Sequence, residues 1–289
     1  MKVLVTGIKG QLGRDVMLAL HQRGIPCTGA DIDTFDLTDR GAVNAFLMKE
    51  RPGCIVHCAA YTNVDGAETD RELAARVNGE GTKNIADAAA ALDAKLVYIS
   101  TDYVFSGEGA EPWRVDSPLC PVNRYGETKL MGEEAVRAAA KKHFIIRTSW
   151  VFGLNGKNFV KTMLRLGAAK ESLTVVDDQI GSPTYTPDLA RLILDMIGTE
   201  AYGTYHAANE GFCSWREFAE AIMEKGSRPC RVIPVTSEEY ALACPTAAKR
   251  PKNSRLDRSS LDEKGFSRLP SWQDALTRYM EELRQAGEL

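Results

Sequence analysis

Tyr125 and Lys129 stand four positions apart in the stretch "YGETK". On a helix, residues with this spacing share one face and lie about 6 Å apart. A phenol has a pKa near 10, which suits proton transfer at neutral pH poorly, and a nearby ammonium lowers that pKa by stabilising the phenolate. The pair is therefore either a proton donor with the cation that tunes it or an ordinary solvated helix pair.

Hydroxyl and carboxyl groups follow a predicted strand in "YISTDYVF", which supplies Ser100, Thr101, Asp102 and Tyr103. In an open α/β sheet, the carboxyl ends of the strands form the ligand crevice. Because side chains alternate along a strand, only one of Ser100 and Thr101 is expected to face that crevice. A tyrosine, a lysine and a strand-end hydroxyl together favour the proton-donor interpretation of "YGETK".

A glycine-rich turn, "TGIKGQLG", lies between the predicted strand "KVLVTG" and a predicted helix from about Leu12 to Gln22. Such a turn aims backbone N–H groups and the helix dipole at an anion. Gly7 allows the tight turn, Gly10 lets a pyrophosphate approach the backbone, and Gly13 lets the helix pack closely on the strand. The pattern predicts a dinucleotide site that includes the neighbouring Gln11 and Leu12.

The second predicted strand, "IPCTGAD", ends at Asp31. A carboxylate at this position can accept hydrogen bonds from the adenosine ribose and would repel a 2′-phosphate, which favours NADH. Lys9 and Arg14 could still serve NADPH, so the sequence leaves both dinucleotides open. Further residues are expected to lie along the cofactor, with the first two near an adenine edge: Asp36, Leu37, Ala59, Ala60 and Tyr61.

Strand and helix patterns alternate through the first half of the chain, which predicts an α/β fold: a Rossmann-type, doubly wound parallel sheet with a smaller mixed C-terminal lobe. Residues 1–152, with about 178–208, are assigned to the NAD(P)-binding domain. Residues 153–177 and 209–289 are assigned to a substrate-binding lobe. "HFIIRTSWVFG" is predicted as one strand, 227–270 as irregular, and Ser214 with Glu217 as a capping box.

The composition of the chain argues against several classes of protein. The 289 residues carry a net charge of −3, without the basic excess typical of nucleic-acid binders. The apolar run in "MKVLVTG" is too short for a signal peptide or a membrane span. Seven cysteines without paired spacing indicate no disulfide framework, and four scattered histidines indicate no catalytic metal. We therefore expect a cytoplasmic protein with neither nucleic-acid nor membrane partners.

Several motifs in order resemble the extended short-chain dehydrogenase/reductase family, and within it the dTDP-4-dehydrorhamnose reductases. They are "TGIKGQLG", "STDYVF", "YGETK", "RTSWVFG", "GKNFVKTMLRL", "DDQIGSPT" and "RPKNSRLD". The resemblance extends from Met1 to the C-terminal helix. It implies a catalytic triad of Thr101, Tyr125 and Lys129. It also implies a set of substrate contacts: Thr62, Val64, Asp102, Tyr103 and Trp150.

The activity implied by the resemblance is NAD(P)H-dependent reduction of the C4 keto group of dTDP-4-dehydro-L-rhamnose to dTDP-L-rhamnose, with Tyr125 as proton donor. Related dehydratases carry Thr-Asp-Glu where this chain has Tyr103 last, and a reduction needs no such acid pair. Arg250, in the basic loop "KRPKNSRLD", is expected to bind the substrate diphosphate. A solvated basic loop is the alternative for that segment.

Two other functions stay open at this point. One is a non-catalytic, NADP-binding regulatory subunit resembling the beta subunit of methionine adenosyltransferase, and the other is a reductase or epimerase of another sugar nucleotide. A homodimer is an expectation from the family alone. Some family members bind Mg²⁺ through acidic residues at a dimer contact. The corresponding positions match only loosely, so no metal is predicted: Asp15, Asp188 and Glu281 or Glu282.

Overall fold

The computed structural model describes residues 1–289. Its strands are β1 Val3–Thr6, β2 Cys27–Ala30, β3 Cys54–His57, β4 Lys95–Thr101, β5 His143–Thr148, β6 Val151–Phe152, β7 Ser172–Val176, β8 Ile180–Gly181, β9 Thr184–Tyr185, β10 Gly203–His206, β11 Asn209–Glu210, β12 Cys213–Ser214, β13 Arg231–Val235 and β14 Leu269–Ser271.

The α-helices are α1 Gln11–Gln22, α2 Arg40–Glu50, α3 Arg71–Ala75, α4 Thr82–Ala91, α5 Arg124–Ala139, α6 Phe159–Ala169, α7 Thr186–Ile197, α8 Trp215–Lys225, α9 Ser237–Ala243, α10 Ser259–Asp262 and α11 Trp272–Gln285. Short 3₁₀ turns cover Gly66–Glu68 and Asp102–Val104, and a π-helical segment, Arg76–Gly81, joins α3 to α4. None of the helices is both long and apolar enough to cross a membrane.

Six parallel strands form the central sheet in the order β2-β1-β3-β4-β5-β10. This arrangement confirms the predicted α/β fold class. The chain leaves β1 towards β2 on one side and then returns to add β3 on the other. In sheets with such a reversal, ligands bind beyond the carboxyl ends of the two strands that flank it. Residues following β1 and β3 are therefore placed at a crevice.

The sheet is covered on both faces because its strands alternate their apolar side chains. Val3 and Val5 of β1 join a buried cluster with α1 and α7, whereas Leu4 joins a cluster with α2, α4 and α5. In β4, Val97 belongs to the first cluster and Tyr98 to the second. The face of β4 that carries Tyr98 therefore lies against α5, the helix of the predicted proton donor.

A separate buried cluster forms around Phe152, α6, α8 and α11. It lies in the C-terminal part of the chain, but the segment around α10 does not belong to it. Leu261, Phe266 and Leu269 pack instead with α1 and α7 beside the central sheet. The domain boundaries given above stay a prediction.

The residues that mark the N-termini of two helices were identified correctly from the sequence. Ser214 and Glu217 make the predicted capping box of α8, and Pro187 occupies the first turn of α7. Two other predictions were wrong. The predicted strand "HFIIRTSWVFG" is broken because Trp150 adopts a left-handed backbone with φ of +50°, which ends β5 and offsets β6. Residues 227–270 contain β13, which pairs in parallel with β7, and helices α9 and α10.

Candidate active site

The turn between β1 and α1 forms one end of a crevice. Gly7 has φ of +73°, and a Cβ there would lie 2.6 Å from the backbone nitrogen of Ala59. A Cβ on Gly13 would lie 2.2 Å from the carbonyl oxygen of Gly7. Only glycine fits these two positions, so the backbone and the N-terminus of α1 are left bare towards the crevice. This cradle fits the pyrophosphate of a dinucleotide.

Asp31 directly follows β2 and stands beside the glycine turn. Its carboxylate accepts hydrogen bonds from the backbone N–H groups of Lys9 and Ile32, both at 2.9 Å. The Lys9 ammonium forms a salt bridge with Asp33 at 3.0 Å. Lys9 borders the crevice and Arg14 does not, so of the two cations weighed for a 2′-phosphate only Lys9 is in place.

A cavity of about 830 Å³ extends from the glycine turn to the carboxyl end of β4. It gathers the three predicted catalytic residues, Thr101, Tyr125 and Lys129. Most predicted cofactor residues also line it: Gly7, Gly10, Gln11, Leu12, Gly13, Asp31, Asp36, Leu37, Ala59 and Ala60. So do most predicted substrate residues: Thr62, Val64, Asp102, Tyr103 and Trp150.

Tyr61 is the one predicted cofactor residue that does not line the cavity. Its hydroxyl donates to Asp70 at 2.9 Å, on the outer side of the segment. Its backbone N–H donates to Asn78 Oδ1 at 2.8 Å, and its carbonyl accepts from Asn78 Nδ2 at 3.0 Å. With its backbone and hydroxyl groups satisfied elsewhere, Tyr61 anchors the segment rather than facing the cavity.

Ser100 and Thr101 at the end of β4 both line the cavity, but their hydroxyls have different partners. Ser100 Oγ donates to Glu133 Oε1 on α5 at 2.5 Å. Thr101 Oγ1 donates to Asp102 Oδ1 at 3.0 Å, and its hydroxyl lowers the pKa of the neighbouring Tyr125 phenol. Thr101 is therefore the hydroxyl that accompanies Tyr125.

Tyr125 is the second residue of α5, which begins there because the Asn123 side chain caps it, accepting from Gly126 N–H at 2.8 Å. Its ring packs edge-on against Tyr103, with ring centroids 5.8 Å apart. Burial and then the charge of Asp102 raise the pKa of Tyr125, and the contact with Thr101 offsets part of this rise. The phenol is therefore protonated at neutral pH.

Lys129 lies one turn further along α5 and is only 2% exposed. Burial lowers the pKa of this ammonium to about 7, and the charge of Glu133 opposes that shift. The pair in "YGETK" is thus enclosed in a cavity wall and is not a solvated helix pair. The expected lowering of the Tyr125 pKa by Lys129 is not seen in this state, because burial and Asp102 dominate that phenol.

A second cavity, of about 1350 Å³, adjoins the first, and Trp215 lines both. The indole of Trp215 stacks on that of Trp150, with ring centroids 3.7 Å apart. Arg250 lines only the second cavity, where its Nη2 lies 3.0 Å from both carboxylate oxygens of Asp65. The predicted substrate residues are therefore divided between two adjoining cavities.

A family model described as the RmlD substrate binding domain matches residues 1–285 of this chain. The chain belongs to the RmlD substrate binding domain family. This membership confirms the resemblance read from the motifs, and the glycine turn, the β4 end and α5 all lie within the matched residues.

Members of the RmlD family with high similarity cover nearly the whole chain. The spore coat polysaccharide biosynthesis protein SpsK of Bacillus subtilis is 42% identical over 99% of this chain and 99% of its own length. The dTDP-4-dehydrorhamnose reductase of Streptomyces griseus is 43% identical, covering 95% and 91%. A crystal structure of the Bacillus anthracis dTDP-4-dehydrorhamnose reductase in complex with NADP superposes with a TM-score of 0.93 at 44% identity, covering 97% and 99%.

Two of the acidic residues weighed for Mg²⁺, Asp188 and Glu282, have other partners here. Asp188 accepts hydrogen bonds from Arg191, Arg278 and Asn209, so its carboxylate lone pairs are taken. Glu282 accepts from the Tyr185 hydroxyl at 2.8 Å. Burial raises the pKa of Asp15 to about 6, which weakens it as a ligand. No cluster of three His, Cys, Asp or Glu side chains could hold a metal ion.

The cavity residues that the sequence did not indicate include Ser149, Lys157 and Trp215. Lys157 and Ser149 line the first cavity, and Trp215 forms the wall shared by both. Ser149 directly precedes Trp150 in the quoted "RTSWVFG", so its place after β5 could have been inferred. Trp215 is the first residue of α8, and neither helix periodicity nor a local motif indicates that its ring reaches a distant cavity.

Proposed function

We propose that this chain reduces the C4 keto group of dTDP-4-dehydro-L-rhamnose to give dTDP-L-rhamnose, with NADPH or NADH as reductant and Tyr125 as proton donor. The observation that carries the proposal is the convergence of Thr101, Tyr125 and Lys129 on the cavity that begins at the glycine turn. The named activity of relatives above 40% identity supplies the substrate class.

The dinucleotide would be held by the bare glycine turn, with Asp31 beside its adenosine ribose and Lys129 near the other ribose. When bound in its reduced form, it supplies the hydride for the new C–H bond at the sugar C4. The residues of the chain then have one remaining task, which is to neutralise the charge that develops on the carbonyl oxygen.

Tyr125 carries its proton at neutral pH and lies at the cavity, so it can serve as the donor. As hydride reaches C4, the carbonyl oxygen becomes an alkoxide, and the Tyr125 hydroxyl transfers its proton to it. The resulting phenolate is stabilised by the Thr101 hydroxyl and by the ammonium of Lys129 one turn away. A water proton from the crevice then restores the phenol.

The rest of the substrate fits the paired cavities. The sugar would lie against Trp150, Thr62 and Val64 in the first cavity, and the dTDP moiety would extend past Trp215 into the second. There the Arg250 guanidinium offers a fork that suits phosphate oxygens. Removing the charge on Asp65 would free that fork further.

The decisive test replaces the phenol hydroxyl. Tyr125→Phe is expected to lower kcat about 10²- to 10⁴-fold, the usual contribution of general acid catalysis, while dinucleotide affinity is retained. Dinucleotide oxidation, followed at 340 nm with dTDP-4-dehydrorhamnose, measures the rate, and a fluorescence titration measures affinity. Tyr61→Phe is the matched control, because this phenol lies outside the cavity. Undiminished turnover in Tyr125→Phe would refute the assigned role.

The same assay separates the competing functions. A panel of keto-sugar nucleotides, each tried with NADPH and NADH, identifies a reductase of another sugar if a different substrate gives the higher kcat/KM. Dinucleotide binding with no oxidation on any keto sugar would support the non-catalytic regulatory subunit. The enclosed Tyr125 and Lys129 favour the enzyme, since a purely regulatory protein needs no buried ammonium beside a phenol.

A further inference from the structure

Lys129 poses a problem that the catalytic assignment leaves open. Its ammonium is buried, yet it makes no salt bridge to any carboxylate within 4 Å. Glu133, one turn away, is occupied by the guanidinium of Arg147, at 2.8 and 2.9 Å, and by the Ser100 hydroxyl. An unpaired buried cation is costly, so the groups that contact this ammonium decide how much of its charge is kept.

The ring of Tyr98 is such a group. Lys129 Nζ lies 4.1 Å from the centroid of the Tyr98 ring, within the range of a cation–π contact. Tyr98 is fully buried in β4, and its hydroxyl donates to the Lys129 carbonyl at 3.1 Å. One side chain thus contacts both the charged end and the backbone of the same lysine.

The packing of α5 on β4 keeps this contact in register. Tyr98 and Ser100 are two apart on the strand and meet Lys129 and Glu133, which are four apart on the helix. The two spacings are similar, at roughly 6 to 7 Å. Gly132 permits the approach, because a Cβ there would lie 2.1 Å from the Tyr98 hydroxyl.

We propose that Tyr98 is a positioning residue for the reaction: the face of its ring seats the Lys129 ammonium and keeps it charged beside Tyr125. The face of the Tyr98 ring is electron-rich because of the ring quadrupole, and the phenol stays neutral because burial raises its pKa. His57, which stacks on the same ring at 5.9 Å, is held neutral by burial, so it does not repel the ammonium. The inference rests on the role given to Lys129 above, but its test does not.

Other ionisable groups around the ammonium come from each element packed against it. From α5 they are Tyr125 and Glu133; from β3 and its end, His57 and Cys58; from β4 and its end, Tyr98 and Asp102; and from β5, Arg147. Cys58 and Tyr98 stay protonated because burial raises their pKa values, and His57 stays neutral. The ring of Tyr98 is therefore the one contact that can be weakened without adding or removing a charge.

The test titrates Lys129 directly in the full-length, cofactor-free protein. Lysine carrying ¹³C at Cε is incorporated, the Lys129 signal is assigned by its loss in Lys129→Arg, and its pKa is read by NMR. Tyr98→Phe keeps the ring face and is expected to leave that pKa within about 0.3 units. Tyr98→Leu removes the face and is expected to lower it by roughly 0.5 to 1.5 units, the equivalent of a cation–π contact.

A second series guards against misfolding of Tyr98→Leu. Phenylalanine at position 98 is replaced by its mono-, di- and trifluorinated forms, which keep the ring shape while drawing electrons from its face. A stepwise fall in the Lys129 pKa with fluorination supports the proposal. An unchanged pKa across this series, in variants that unfold at the wild-type temperature, overturns it and leaves Tyr98 a packing residue only. Neither readout depends on catalysis, so the result stands apart from the outcome of Tyr125→Phe.

Discussion

Asp102 combines burial, charge and proximity to the reacting groups in one side chain. It is 2% exposed at the end of β4, and its Oδ2 lacks a hydrogen-bond partner. Burial raises the pKa of this carboxyl to about 6, while the nearby Ser254 hydroxyl and the hydrogen bond from Thr101 oppose the rise. Its charge in turn raises the pKa of Tyr125 and Tyr103. The carboxyl thus helps to keep the proton on the Tyr125 phenol.

The raised pKa of Asp102 has a consequence for stability with a definite sign. The folded state binds a proton more tightly than the unfolded state, so this stabilising contribution is complete below pH about 4. It is lost as the pH rises from about 4 through 6. Relative to wild type, Asp102→Asn should therefore gain about 2–3 kcal/mol in free energy of unfolding between pH 4 and 7.5. Urea unfolding at both pH values measures the difference, and parallel profiles for the two proteins would contradict it.

At the scale of the element, α5 can pack directly on β4 because two of its residues are glycines without side chains. A Cβ on Gly126 would lie 2.2 Å from the carbonyl oxygen of Tyr103, and one on Gly132 would meet Tyr98. The helix therefore rests directly on β4 and on the turn that follows it. This close contact fixes Tyr125 against Thr101 and Lys129 against the ring of Tyr98.

Gly126→Ala tests the dependence of the site on this contact. The added methyl meets a backbone oxygen, which cannot move away, so α5 must shift and carry Tyr125 with it. We expect a loss of about 1–3 kcal/mol in free energy of unfolding and at least a tenfold fall in kcat. Gly41→Ala in α2 is the control, because its Cβ would meet only the Asp39 carboxylate at 3.2 Å. Urea unfolding and the 340 nm assay measure both variants, and wild-type behaviour of Gly126→Ala would count against the account.

The elements that the sequence predicted correctly are those with local signals. The buried β1, the glycine turn and the capping box of α8 each follow from residues within a dozen positions of one another. The triad could be placed because the β4 end and the start of α5 both lie at the crevice in any sheet of this type. Family motifs then supplied the residue roles.

The elements that were missed depend on partners distant in the chain. Strand β13 forms because "RVIPV" finds β7 nearly 60 positions earlier, and its own pattern has little periodicity. The break at Trp150 accompanies the stacking of its indole on that of Trp215, and Tyr61 forms hydrogen bonds with Asp70 and Asn78. In these cases tertiary contacts override the conformational preference of the local sequence.

At the scale of the whole molecule, one ion pair joins distant segments beside the cavities. Asp65 follows β3, whereas Arg250 belongs to the segment before α10, and the pair spans 185 positions. Asp65 Oδ1 also accepts from the backbone N–H of Ala248 at 2.9 Å. Arg250 is thus either a phosphate ligand held ready by Asp65 or simply a tie between segments.

Two substitutions separate these roles. If Arg250 binds the diphosphate, Arg250→Ala should weaken dTDP binding about 10- to 100-fold, the cost of losing a charged hydrogen bond. Asp65→Asn should leave dTDP affinity equal or higher, since it removes a negative charge near the phosphates. Isothermal titration with dTDP measures both, with NADPH affinity as the control. Equal losses in the two variants would indicate a structural tie instead.

The segment around α10 limits how this enzyme can be recombined with its relatives. Leu261, Phe266 and Leu269 fill the face of the central sheet, although residues on either side of them pack elsewhere. In a chimaera that exchanged everything after β10 in one block, residues from the donor protein would pack against the host's central sheet. To transfer sugar preference between homologues, residues 259–269 should therefore be kept from the host. The segments before and after them should be exchanged separately.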